Sequence, residues 1–529
     1  MTRQMTGDEL RELEGSGRQY AILDVRDEGV FSKGHLLRAS SVPLRQLEID
    51  LASHGDLRKR TLVICDGDGR SEAVIATRRL HDWGFSDVNV LEGGLLAQRE
   101  RGLPVYSGMH TLSKAFGEAV EAALHTPSIT AAELADKRAS GEPMCVIDCR
   151  PHDEYAKASL PGSINVPGVE LAYRFADVVR DPNLPVVVHC AGRTRSIIGT
   201  QSLLEAGVTN PVFALENGTM GWLRAGHTVA EPGKPAQGFE AGFRPSVEQI
   251  TLAGQMRARY GVALADAGEI AAWMNGDPQR TTYLVDIRTA AEYAAGHPEG
   301  AIHAAGGQLI QATDKYLFVQ HARVVLIDGD GVRASIAAAW LRRMGWKDVF
   351  VWPIDYEPMA LTLGPQPRRY YRIAGLDRIR AMLPADLQQR CRNEAVDMVD
   401  IDTSIEFERG HIAGSRFARR AELASLLAAR PKGRVVVLIS KDGWLAKLAT
   451  TDGFNLDDVW VLEGGKAAWR AAGLPIVTGA DSVPPDINDV WRRPVEARGS
   501  LASNIDEYLS WEIGLADQIR ADGAVRFEL

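Results

Sequence analysis

Four stretches of this 529-residue chain repeat one pattern: LDVRDEGVF from Leu23, IDCRPHDEY from Ile147, VDIRTAAEY from Val285 and VDIDTSIEF from Val399. Each is an apolar run ending in Asp, with Arg two residues on in the first three and an aromatic ring seven residues after the Asp. The aspartates, Asp24, Asp148, Asp286 and Asp400, recur at a spacing of roughly 125 residues, a domain's length rather than a solenoid repeat's. Such a chain folds as four related domains in tandem.

Other landmarks keep step. Gly34–Leu36 (GHL), Gly296–Pro298 (GHP) and Gly410–Ser415 (GHIAGS) follow the aromatic residue, and the second repeat has Ala158–Ser163 (ASLPGS) in that place. Each repeat then has an apolar run, TLVIC, PVVVHC, RVVLI or RVVVLI, followed by a loop and a helical pattern. Short continuous apolar runs alternating with helix-length segments are the mark of parallel strands buried on both faces, so the expected class is α/β, a small parallel sheet flanked by helices in each repeat. The expected domains are 1–107, 126–232, 262–366 and 374–478, with a C-terminal helical tail at 479–529. A helical connector lies at Ser113–Thr126 and a Gly/Pro-rich linker at Glu231–Pro245. In the tail, Ser503 and Asp506 fit a capping box before an amphipathic helix that would pack on a domain or a partner.

Composition narrows the function. The net charge of -9 comes from 69 acidic and 60 basic residues without long single-sign runs, which argues against a nucleic-acid partner. MTRQMTGDEL lacks an apolar signal core and no long uninterrupted apolar stretch occurs, so no membrane association is expected and the chain reads as cytoplasmic. Five cysteines, an odd number thinly spread, do not form a secreted disulfide framework. No ligand pairs at metal spacing occur, so neither a metal nor a cofactor is expected. Cys145, Cys149 and Cys391 are expected to be core packing.

On a repeated scaffold, what recurs is fold and what differs is chemistry. The strand-end aspartates recur everywhere and are expected to form structural ion pairs or turns. The loops after the central strand differ: CDGDGRS from Cys65, CAGRTRS from Cys190, DGDGVRA from Asp328 and SKDGWLA from Ser440. Repeats three and four have no cysteine there and are expected to be silent, with Ser440 lacking any evident base. In the second loop Cys190 lies where a strand gives way to a helix, the place where open α/β sheets bind ligands. Backbone N–H groups and the helix N-terminus favour an anion there, and Arg193 and Arg195 add positive charge. Cys65, with Arg70 five residues on, is a possible second site, although Asp66 and Asp68 would disfavour a thiolate.

Strand, Asp-x-Arg, Gly-His, strand, six-residue cysteine loop, helix and Gly-containing turn (NGTMGW at Asn217–Trp222, GGKAAW at Gly464–Trp469) together resemble the rhodanese family of sulfurtransferases. The resemblance covers some four-fifths of the chain as four tandem rhodanese-like domains. It implies that Cys190 takes a sulfane sulfur from thiosulfate or a similar anionic donor, becomes a persulfide and passes the sulfur to cyanide or a thiol acceptor. The amides of Ala191, Gly192, Arg193, Thr194 and Arg195 would then cradle the sulfur, and the two arginines would suit an anionic donor. Cys65 would serve as a relay or be inactive. Two alternatives stay open: a persulfide-sensing or sulfur-relay scaffold, and a cysteine phosphatase of the dual-specificity type. The latter family places its arginine six residues after the cysteine, whereas Arg195 is five after Cys190.

Overall fold

The computed structural model describes residues 3–529 apart from 56, 234–243, 277–279, 357–358, 368, 370, 372, 374–375, 377–378, 432 and 524. It contains four five-stranded parallel sheets, one per repeat, each with helices on its faces. In the second repeat the order across the sheet is Ser128–Ile129, Val212–Leu215, Val186–His189, Cys145–Asp148 and Ile164–Asn165, all parallel. The central strand, VVVH, is apolar along most of its length because helices bury both faces of the sheet. The α/β class and the tandem architecture expected from the sequence are what the chain adopts.

The strand-end aspartates are structural, as their recurrence implies. Arg26, Arg150 and Arg288 each grip the aspartate two residues before them with Nε and Nη2, and each also donates to a carbonyl eight residues on, Gly34, Ala158 or Gly296. The fourth repeat has Asp402 in place of that arginine. There Lys466, from the GGKAAW turn, supplies the cation and lies 2.9 Å from both Asp400 and Asp402.

The second and third repeats, and the first and fourth, pack through the same surface, and the first also pairs with the third at Tyr20 and Gln320. In the second and third repeats a chain segment hydrogen-bonds back to the Asp strand at Gly168 and at Gly306. A Cβ added at Gly168 would lie 2.7 Å from the Gly307 backbone, so the two main chains touch. Around them Arg333 donates to Glu170 at 2.5 Å and Trp340 Nε1 to Ser202 at 2.9 Å. In the first repeat Leu44 holds the place of Gly168. Its neighbour Arg45 meets Arg420 of the fourth repeat, which donates to the Arg45 carbonyl and pairs with Glu48 at 2.8 Å. Larger side chains hold the first and fourth repeats apart, leaving a cleft of about 920 Å3 lined by residues of both.

Several expectations are corrected. Cys149 is buried and Cys145, half-buried, packs against the same core, but Cys391 is exposed on the helix Pro384–Asn393 and is not core packing. The tail helix spans Leu501–Asp522 and is capped by Ser500, with Ser503 and Asp506 already inside it. The connector is helical over Thr111–Leu124. Most of the Gly/Pro-rich linker, residues 234–243, lies outside the described residues. No described helix is long and apolar enough to cross a membrane, and no described group of three His, Cys, Asp or Glu is placed to hold a metal ion.

Candidate active site

Strand register decides which residue of each repeat enters the loop. The Asp strand pairs Asp148 with His189, Asp286 with Ile327 and Asp400 with Ile439, and the next residue, Cys190, Asp328 or Ser440, opens the loop. In the first repeat Asp24 pairs with Cys65 itself. Cys65 therefore ends its strand in the place of His189, and Asp66 holds the place of Cys190. The turn that closes each loop agrees: Thr219 N donates to the Cys190 carbonyl and Lys466 N to that of Ser440, while Leu95 N donates to that of Asp66. Because side chains alternate along a strand, this shift of one residue turns Cys65 to the opposite face of the sheet. It packs there with Met5, Val63 and Leu91, whereas Ile64 faces the side on which Val188 leads to Cys190.

Cys65 is thus a buried core thiol rather than a loop nucleophile, which corrects the candidate second site. Burial, with the nearby charge of Asp24, pushes its thiol well above the ordinary range. Arg70 is exposed and cannot serve a sulfur that faces the other way. The signal was present in the sequence: the first and third repeats both read DGDG, and aligning those four residues places Asp66, not Cys65, opposite Asp328.

The four loops then differ in what fills them. Asp66 accepts from the amides of Gly69 at 2.5 Å and Ala73 at 2.9 Å. Asp328 accepts from Gly329 at 2.8 Å and Ala334 at 3.3 Å, and Ser440 Oγ from Ala446 at 3.3 Å. A second aspartate, two residues further on, takes another amide in each: Arg70 N donates to Asp68, Val332 N to Asp330 and Trp444 N to Asp442, at 2.9 to 3.1 Å. The third loop residue after these openings is glycine at positive φ, Gly69, Gly331 or Gly443. The second repeat breaks every part of this pattern. It has Cys190, then Gly192 where the others have the second Asp, then Arg193 at φ -124°. Among the described residues no protein acceptor takes the amides of residues 191–195. Cys190 is only 2% exposed, and its sulfur lies 3.5 Å from Ser196 Oγ at the start of the helix Thr194–Glu205.

The two arginines are already engaged. Arg195 forms a two-pronged pair with Glu154 at 2.9 and 3.0 Å and donates to Gln308 of the third repeat. Burial opposes ionisation of Glu154, but the Arg195 charge and its hydrogen bonds hold that carboxyl down at about 2. Arg333 of the third repeat makes the same two-pronged pair with Glu292, so the pair recurs on the scaffold whatever residue opens the loop. Arg193 is held by Glu118 at 2.7 and 2.8 Å, by Glu121 and by Asn217. Both guanidiniums, expected to receive the substrate, are thus already paired with carboxylates.

His189 was not singled out by the motif reading. It is fully buried, 3.9 Å from Asp148, and burial pushes its imidazole down to about 4, so it is neutral at pH 7. The other three repeats instead stack a histidine, His35, His297 or His411, on the aromatic residue four positions earlier. The second repeat has Ser159 in that place, donating to Asp148 at 2.6 Å.

Two helices outside the repeats complete the surroundings of the loop. The connector Thr111–Leu124 brings Lys114, Glu118 and Glu121, and the tail helix brings Tyr508 and Glu512. Glu512 has a fully buried side chain; its Oε1 accepts from Lys114 Nζ and Thr194 Oγ1, both at 3.0 Å. No local pattern could reveal this contact, because 318 residues separate Thr194 from Glu512.

The comparisons agree with this architecture. The rhodanese-like domain model matches residues 6–100, 130–225, 266–356 and 383–472. A crystal structure of thiosulfate sulfurtransferase from Pseudomonas aeruginosa superposes with a TM-score of 0.88, is 37% identical and covers 99% of each chain. An HTH-type transcriptional regulator of Mycobacterium tuberculosis, Rv0324, is 35% identical over 104 residues, which are 20% of this chain and 45% of that protein. The chain therefore spans about half the length of that curated relative. Fold, motifs and family match together make this a protein of the rhodanese-like family with four tandem domains.

Proposed function

We propose that the chain is a sulfurtransferase in which Cys190 alone carries the sulfur, with thiosulfate or a similar anionic sulfane as donor and cyanide or a thiol as acceptor. The observation that carries this reading is the contrast among the loops. Three are filled by their own carboxylates or hydroxyl, and one presents a cysteine beneath amides that no group among the described residues accepts. Unpaired N–H groups around a sulfur at a helix N-terminus are a site for a sulfur anion. The near-full-length likeness to a protein named as a thiosulfate sulfurtransferase supports the choice of donor.

The chemistry balances without a further reactant. The Cys190 thiolate attacks the outer sulfur of thiosulfate; a new S–S bond forms, the S–S bond of thiosulfate breaks, and sulfite leaves with its electron pair. The loop amides and the first turn of the helix stabilise the resulting persulfide anion. Cyanide attacks the outer sulfur, leaves as thiocyanate and returns the thiolate. With Arg193 and Arg195 paired to carboxylates, recognition of the donor's charge falls to backbone amides. The same pairing weighs against a phosphatase, which needs a free arginine to hold a phosphate ester. Cys65, on the other face of its sheet, does not act as a relay.

Peptide-mapped mass spectrometry after brief incubation with thiosulfate tests this. The expected result is one added sulfur on the Cys190 peptide, removed by cyanide with formation of thiocyanate, none on the Cys65 peptide and none on Cys190→Ser. Sulfur on Cys65, or none on Cys190 with any sulfane donor, overturns the reading.

A further inference from the structure

In the three silent loops an aspartate two residues after the opening position holds the loop by accepting the amide of the residue two further on: Asp68 from Arg70, Asp330 from Val332 and Asp442 from Trp444. This is an ordinary side-chain-to-backbone turn bond, and it consumes an amide. The corresponding residues of the second loop are Gly192 and Thr194. Gly192 has no side chain, so that bond is not made.

A carboxylate is nevertheless at that spot. A Cβ added at Gly192 would lie 3.2 Å from Glu512 Oε2, 2.9 Å from Met220 Cε and 3.6 Å from Tyr508 Cε1. The tail helix has put a glutamate where the other loops carry their own aspartate. Glu512 binds the same residue, Thr194, but through its hydroxyl, which donates to Oε1 at 3.0 Å. The Thr194 amide is thereby left to the cradle. Lys114 neutralises the buried carboxylate from the connector helix at 3.0 Å, and Glu512 Oε2 has no hydrogen-bond partner among the described residues.

We propose that the C-terminal helix Leu501–Asp522 is a working part of the Cys190 site, with Glu512 as a positioning residue that braces the cysteine loop through Thr194. The proposal rests on the sulfur-transfer reading of Cys190 and extends it. It gives the tail a role within the reaction: the one loop that has given up its internal brace to free an amide receives the brace from outside the repeats. The charged and titratable groups facing Glu512 are Lys114 and Glu118 of the connector, Arg193 of the loop and Tyr508 of its own helix. Cys149 and Arg195 face Cys190 from the other elements packed on the loop.

The test compares full-length Glu512→Gln, Thr194→Val and Thr194→Ser with the unaltered chain. Glutamine keeps the size of Glu512 and removes its charge. Taking a negative charge away from the loop favours the thiolate, so the pH midpoint for iodoacetamide alkylation of Cys190 is expected to move down by about one pH unit. Thiocyanate formation is expected to fall about tenfold in kcat with little change in KM, because an amide oxygen accepts from Thr194 more weakly than a carboxylate and gives up the ion pair with Lys114, so the loosened loop misplaces the sulfur. Thr194→Val should show the same loss of kcat and Thr194→Ser should restore it. In the Thr194→Val background, Glu512→Gln should cost nothing further, since the two share one contact. An unmoved alkylation midpoint, or losses from the two variants that simply multiply, overturns the proposal. Thr194→Val and Thr194→Ser leave the tail helix intact, so they decide the matter if Glu512→Gln does not fold. Alkylation needs only a thiolate, so a chain that takes no sulfur from thiosulfate defeats the functional reading while still testing Glu512.

Discussion

The loops beginning at Asp66 and at Cys190 leave corresponding strands, close under corresponding turns and open onto corresponding helices, yet one is filled and the other empty. In the first, two aspartates convert the loop amides into charge-assisted hydrogen bonds within the loop. In the second, cysteine and glycine give those bonds up. An N–H group buried without a partner costs free energy, so the empty loop needs support that the filled one does not. That support is visible in the tethering of Arg193 by Glu118 and Glu121, of Arg195 by Glu154 and Gln308, and of Thr194 by Glu512. The filled loop is largely exposed, while Gly192, Thr194 and Arg195 are buried. The loop beginning at Asp66 is thus held from within, and the loop beginning at Cys190 is held by its neighbours.

The sharpest way to break this contrast is to fill the empty loop. Gly192→Asp restores the aspartate of the other repeats, offers a carboxylate to the Thr194 amide and crowds Glu512. Sulfur transfer is expected to fall about a hundredfold or more, measured as thiocyanate formation, with overpacking costing about 1–3 kcal/mol of stability. Activity close to that of the unaltered chain would show that the Thr194 amide is not part of the cradle.

A second comparison sets Arg195 against its twin Arg333. If Arg195 is scaffold, Glu154→Gln should destabilise the chain by about 3 kcal/mol, as expected for stranding a buried charge. Glu292→Gln should cost less in the third repeat, because Arg333 keeps Glu170 and Asp328, both variants being read by chemical denaturation. The pH dependence has a definite sign. The Glu154 carboxyl is lowered from 4.5 to about 2 in the folded chain, so its contribution is complete above 4.5 and is lost as pH falls toward 2. Glu154→Gln should lack that portion of the acid sensitivity. An unchanged acid limb would mean that Arg195 finds another partner.

The smallest effect on chemistry is expected at Cys65. Cys65→Ala should leave sulfur transfer unchanged and cost about 1 kcal/mol through the lost packing of a small buried side chain, read as a modest fall in Tm. Any loss of turnover would restore a role for the first repeat.

Much of this was legible in the residues themselves. The fourfold LDVRD-type strand gave the domains away, and the recurrence of Asp-x-Arg marked Asp24, Asp148 and Asp286 as ion-paired scaffold, with Lys466 taking over where the fourth repeat lacks the arginine. The cysteine of the first repeat was misread because a reactive residue type drew the alignment one position off. A period-two strand punishes such a slip by turning the side chain to the other face. The close approach of Gly168 and Gly307, which brings the backbones of the second and third repeats into contact, has no signal in the local pattern of either repeat.

By itself, the sequence determined the elements of each repeat, their order and the two cysteines, Cys65 and Cys190, that could offer a thiolate at the loop. Those follow from local periodicity and from residue types within a few positions of one another. Tertiary structure decided what surrounds that thiolate. It spent both arginines on carboxylates and set Glu512, at the far end of the chain, against Gly192. Which charge neutralises which, and which amide stays unpaired, depends on groups brought together from distant parts of the chain, and no spacing along a strand or helix encodes it.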